Sequence, residues 1–135
     1  MKNSKAQRVG LRTIAVLLAL SAPALLLPQA ALAQQNVNVK TVSKTLNSSA
    51  AHKECTSLAA AQNLRYWFRA DAPVNFNIQY QEGGQVLYPV KKDKVNILSG
   101  TYVPKSPGDV CLVWTNLNPK PVTLSFEFAR IAAGR

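Results

Sequence analysis

The 135-residue chain carries 16 Lys and Arg against six Asp and Glu, a formal net charge of +10, with 47% hydrophobic residues, two Cys and one His. That length suits one small core and is too short for two once a leader is removed. A single His and few, scattered acids leave little for a metal centre or a calcium loop, so no cofactor is expected. The basic excess favours solubility and loose attraction to anionic partners without specifying one.

Residues 1–33 read as a secretory signal peptide. Lys2, Lys5, Arg8 and Arg12 form a positive start, an apolar run extends from Thr13 to Leu27, and Ala31-Leu32-Ala33 supplies a small-x-small cleavage site. The run is shorter than the ~20 residues of a comfortable span, and no second apolar stretch follows. The chain is therefore expected to be exported, periplasmic or extracellular, and not membrane-spanning after cleavage before Gln34. Loss of those four cations takes the net charge from +10 to +6. Cys55 and Cys111 both lie in the exported part, where two cysteines most simply form one disulfide. The alternatives are two free thiols or a metal pair, for which there is no CxxC and only His52 as a further soft ligand.

Residues 34–53 are polar, with Val37, Val39 and Val42 scattered through them, and fit either a flexible leader or an edge strand. His52, near their end, reads as a solvated loop residue. Thr56 to Gln62 has the composition of one helical turn. From Asn63 to Ala70 the residues alternate, Leu64, Tyr66 and Phe68 against Arg65, Trp67 and Arg69. Asp71-Ala72-Pro73 should break this strand. Val74, Phe76, Ile78 and Tyr80 then alternate with Asn and Gln, the pattern of one buried and one wet face. Glu82-Gly83-Gly84 reads as a hairpin turn, and Pro89 in the returning strand marks an edge or a bulge. Lys91-Lys92-Asp93-Lys94 reads as a charged turn, followed by short strands at 95–98 and 100–103. Val110 to Trp114 is apolar on both faces, as in a strand inside a sheet. Val122, Leu124, Phe126 and Phe128 make the last strand, and residues 130–135 a loose tail. The sum is an all-β fold, an antiparallel β-sandwich of six to eight short strands stapled by one disulfide.

Several of these residues in order resemble the GOLD domain, the lumenal β-sandwich of vesicle cargo receptors. They are Glu54-Cys55, the strand from Val74 to Tyr80, Val86-Leu87-Tyr88-Pro89-Val90, Gly100-Thr101-Tyr102, Asp109 to Asn116, and Pro121 to Phe126. In that family a cysteine before the sandwich is bridged to one in a late strand of Cys-x-x-x-Asn type; here Cys111 and Asn116 stand one residue further apart. The resemblance covers roughly residues 53–128 and implies a GOLD-like sandwich over 54–129, used for protein or lipid contact. The family's coiled coil, membrane span and sorting tail have no counterpart here, so its trafficking role is not implied.

Catalytic signatures are missing. Ser99 and Ser106 stand in turns without a nucleophile-elbow pattern, and no HExxH, P-loop or GxGxxG occurs. The expectation is a non-enzymatic binding module; the alternative is a small envelope hydrolase or an inhibitor-like factor acting through loops. A hydrolase would need His52 hydrogen-bonded to a serine or carboxylate within a cleft. Two binding features stand out. Arg65, Trp67 and Arg69 form an outward row in which an indole flanked by guanidiniums can stack on a ring and hold an anion, unless the leader or the arginine stems cover Trp67. Lys91, Lys92 and Lys94, with Lys105, make a basic cluster that suits anionic lipid or polysaccharide, unless it is merely solvated. The partners implied are another envelope protein or such an anionic surface, and not nucleic acid.

Overall fold

The computed structural model describes Val37 and residues 39–134. The signal sequence and its cleavage site lie outside the described residues. Six strands form the structure: β1 (Val39–Leu46), β2 (Ala51–Leu58), β3 (Gln62–Glu82), β4 (Gln85–Tyr102), β5 (Gly108–Thr115) and β6 (Val122–Ala132). They make a single antiparallel sheet of order β1-β6-β3-β5-β2, with β4 along the other side of β3.

The all-β, antiparallel, disulfide-bonded expectation holds. The arrangement differs from a sandwich of two separate sheets: one sheet curls into a half-barrel. The 21-residue β3 is the cause. Its first part pairs β6 over Gln62–Ala70, and its second part pairs β5 over Asn75–Tyr80. β4 follows it on the opposite side throughout, with register shifts between Arg69 and Val74. Asp71, Ala72 and Pro73 have no ladder partner in any of these registers. The break signal thus marks a true interruption of pairing, yet the chain stays extended and turns a corner. Proline is tolerated there because no N–H is required of it.

The corner is secured by side chains. Asp71 Oδ1 accepts from the Thr123 amide at 2.9 Å, and the Pro73 carbonyl accepts from Asn118 Nδ2 at 2.7 Å. Bending brings Phe68 and Phe76, on either side of it, to 5.0 Å between ring centroids. Trp114 of β5 then meets Phe126 of β6 at 4.4 Å. The inward set is the one the alternation predicts: Leu64, Phe68, Phe76, Ile78, Leu112, Trp114, Leu124 and Phe126 are all buried. Burying each such side chain contributes roughly 1.5–3 kcal/mol.

Other expectations change. Thr56 to Gln62 forms no helical turn; it ends β2 at Leu58 and turns into β3. The strands expected at 85–90, 95–98 and 100–103 are one strand, β4. Lys91-Lys92-Asp93-Lys94 is therefore not a turn; its irregularity is taken up by Lys94 at φ 55° and by a shift in register. Pro89 falls at another shift, between Ile78 and Tyr80 of β3, where it has no ladder partner. Gly83 and Gly84, at φ 57° and 76°, make the two-residue hairpin turn that only residues tolerant of positive φ allow. Residues 39–53 supply β1 and the start of β2, and β6 runs on to Ala132, past the boundary placed at 129.

Among the described residues one polar side chain is fully buried. Asn116 Nδ2 lies 3.0 Å from the Leu46 carbonyl, 3.1 Å from that of Asn47 and 2.9 Å from that of Lys120. Its Oδ1 accepts from the Asn118 amide at 2.8 Å. The turn between β1 and β2 is thereby tied to the loop between β5 and β6.

Candidate functional site

The outer face of the β1–β6–β3–β4 half follows from register. Residues directly opposite in an antiparallel ladder share a face. Arg65 stands between Ala129 and Thr101, Trp67 between Glu127 and Ser99, and Arg69 between Ser125 and Ile97. β1 adds Val39 opposite Ala129 and Thr41 opposite Glu127. Because Leu64, Tyr66 and Phe68 point into the core, Arg65, Trp67 and Arg69 point out, and all three are exposed. Trp67 is 37% exposed, so β1 and the arginine stems leave part of its ring open. Val39 and Ile97 are exposed on the same face, at 44% and 59%.

An open hollow of about 340 Å³ lies beside Arg65 and Trp67, walled by Val39, Thr101 and Glu127 with Tyr66 and Gly100 beneath; Arg69 lines a separate hollow with Ile97 and Ser125. Glu127 accepts from the Thr41 hydroxyl at 3.2 Å. Among the described residues neither arginine takes part in an ion pair, which leaves both guanidinium forks available to a ligand carboxylate or other anion. Burial pushes the Tyr66 phenol above its ordinary value, so it stays neutral. Glu127, Val39 and Ile97 were not singled out from the sequence; only the pairing of distant strands places them beside Trp67.

The lysines do not gather. Lys91 pairs with Asn77 and Lys92 with Phe76. Consecutive strand residues leave opposite faces. Lys91 Nζ lies 5.8 Å from the centre of the Tyr88 ring, and the Lys94 amide donates to Asn75 Oδ1 at 3.0 Å. Lys105 sits apart, in the loop after β4.

His52 is half-buried within β2, not a solvated loop residue. Its ring stacks on Trp114 at 6.1 Å and tilts toward Phe126 at 5.5 Å. Nε2 lies 3.3 Å from Glu54 Oε2, and Glu54 in turn pairs with Lys40 of β1. Lys40, through that hydrogen bond, holds the Glu54 carboxyl below its ordinary value against the opposing effect of burial. The carboxylate partner asked of a hydrolase is present, but among the described residues no serine or threonine hydroxyl bonds His52. The arrangement closes the seam between the edge strands β1 and β2. No three His, Cys, Asp or Glu among the described residues gather to hold a metal ion. Nor, among them, is any helix long and apolar enough to cross a membrane.

Cys55 and Cys111 face each other across β2 and β5 and are disulfide-bonded. Their side chains lie on the outer face of the other half of the sheet, Cys55 exposed and Cys111 half-buried.

The sequence matches no family model. It matches no curated protein either. In structure the chain is similar to PliG of Aeromonas hydrophila, a periplasmic lysozyme inhibitor of g-type lysozyme. The two are 12% identical over 71% of this chain and 89% of that one, with a TM-score of 0.55. A de novo designed double-stranded β-helix is 15% identical over 68% of this chain and 99% of that one, with a TM-score of 0.38. The PliG likeness is one of fold: a curled, all-β scaffold.

Proposed function

We propose that this protein is an exported, non-enzymatic module that binds another protein in the manner of an enzyme inhibitor, through the outer face centred on Trp67. The observation that carries the reading is the exposed Arg65–Trp67–Arg69 row, held on a rigid sheet beside Val39 and Ile97. Tryptophan and arginine are the side chains that most often dominate protein interfaces. Fold alone does not assign function, but the scaffold shared with a periplasmic lysozyme inhibitor supports an enzyme as the partner. The signal-like segment 1–33 and the disulfide support export. The GOLD resemblance, with its cysteine pair and strand patterning, fits the same use of a disulfide-stapled scaffold for protein contact. An anionic lipid or polysaccharide is not part of the reading, because Lys91 and Lys92 leave opposite faces.

The test is inhibition of a g-type lysozyme on cell-wall substrate, with the wild-type chain and with Trp67→Ala and Arg65→Ala. Wild type should slow lysis. Each variant should require at least tenfold more protein for the same effect while melting at the wild-type temperature. Undiminished lysis at a large excess of the wild-type chain would remove the lysozyme assignment. Equal potency of Trp67→Ala would remove the site.

A further inference from the structure

We propose that the Cys55–Cys111 bridge is a thiol–disulfide exchange site, attacked in the folded protein by the thiolate of a dithiol protein. Three observations place it there. First, the bridge joins directly opposed residues of β2 and β5 and lies on the outer face, away from the core. Second, it forms one wall of an open hollow of about 400 Å³ that Lys53, Gln79 and Asp109 also line. A structural staple is ordinarily shielded by packing; here a sulfur can be approached without opening the sheet, and access is one of the determinants of exchange rate. Third, Cys55 is open on a second side: a hollow of about 520 Å³ separates Cys55 and Thr56 of β2 from Lys40 and Thr41 of β1.

The chemistry balances with the dithiol as reductant. Its thiolate attacks Cys55 Sγ, the more exposed sulfur, forming a mixed disulfide as the bond to Cys111 breaks. The electron pair leaves on the Cys111 thiolate, in a hollow that carries both the Lys53 ammonium and the Asp109 carboxylate. The second thiolate of the dithiol, its proton lost to water, then attacks the mixed disulfide. Cys55 departs as a thiolate, and the dithiol is oxidised to its own disulfide. The two cysteines are left reduced, and the covalent tether on β2 is gone. Arg65, Trp67 and Arg69 line neither hollow beside Cys55, so the site is separate from the row proposed for the protein partner.

The experiment treats the disulfide-bonded protein with thioredoxin in which the second active-site cysteine is serine, so that the mixed disulfide accumulates. Tryptophan fluorescence of a Trp67→Phe variant, which leaves buried Trp114 as this chain's tryptophan, is followed in parallel. The adduct should map to Cys55 by mass spectrometry. Its rate should rise tenfold for a tenfold increase in thioredoxin, with the fluorescence still native at onset. A rate that levels off at a value independent of thioredoxin would mean that the bridge reacts only after unfolding, and would overturn the proposal. So would an adduct on Cys111. Reduction by dithiothreitol with no thioredoxin adduct would overturn the protein partner.

Discussion

Trp114 of β5 stacks on Phe126 of β6 with 4.4 Å between ring centroids and 30° between planes. The two strands never pair; they belong to opposite halves of the curled sheet. Phe68 and Phe76, from either side of the β3 corner, complete the cluster around Trp114 at 5.9 Å and 5.5 Å. This aromatic group holds the curl closed. Phe126→Ala is expected to cost about 3–5 kcal/mol, the usual loss for a buried aromatic. The Phe126→Ala/Trp114→Phe pair should be non-additive by at least about 0.5 kcal/mol because the rings touch. Urea unfolding of the four proteins measures both; strict additivity would show that the contact does not couple the halves.

Asn116 is the second closure. Its amide lies within hydrogen-bonding reach of three backbone carbonyls, that of Leu46 buried, with two N–H groups to share among them, so removing it strands acceptors at about 1–3 kcal/mol each when no water replaces it. Asn116→Ala should lose more than about 2 kcal/mol. Asn116→Asp, similar in shape but with an acceptor turned toward the same carbonyls, should be at least as damaging at neutral pH. Thermal melting checks this, and an Asp variant as stable as wild type would contradict it.

Gly100 sits under Tyr66. A Cβ there would lie 2.6 Å from the phenol oxygen and 2.9 Å from Cζ. Gly100→Ala should destabilise by about 1–3 kcal/mol, the range for overpacking. Adding Tyr66→Phe removes the nearest atom and should restore part of the loss. If the double variant is no better than the sum of the singles, the clash is not the cause.

Acid should loosen the seam between β1 and β2. The Glu54 carboxyl is held below its ordinary value of 4.5, chiefly by its hydrogen bond from Lys40. A group whose value is lowered on folding stabilises the fold above its unfolded value. That stabilisation is lost as pH falls from about 4.5 through the lower folded value. The effect is small because the pair is near the surface. Glu54→Gln should flatten this part of the stability–pH curve, and Lys40→Met should shift it toward an ordinary carboxylate. Unchanged acid limbs in both variants would rule out the pair as their source.

Much of this structure is written in the alternation of residues. Leu64, Tyr66 and Phe68 against Arg65, Trp67 and Arg69 assigns the inner and outer sides of β3, and β6 follows the same rule. The glycine pair at 83–84 marks the hairpin, and the lone pair of cysteines marks the bridge. Less legible were the joins. Asp71-Ala72-Pro73 carries every sign of a strand end because it has no ladder partners, and chemistry that interrupts a ladder does not say whether the chain turns back or only bends. The lysines at 91–94 show the same ambiguity. The burial of Asn116 was not legible either, since its three carbonyl partners come from two separate connections.

Side-chain period is a local property of the pleated chain, so the sequence alone determined which residues of β3 and β6 lie inside and which outside, and that the fold is all-β. Strand order and register depend on contacts between residues dozens of positions apart, and those are selected by how the inward side chains pack. Only the tertiary structure therefore decided that β1 lies against β6 and that one sheet curls on itself. The same packing places Val39, Glu127 and Ile97 around Trp67, and leaves the disulfide on an open outer face.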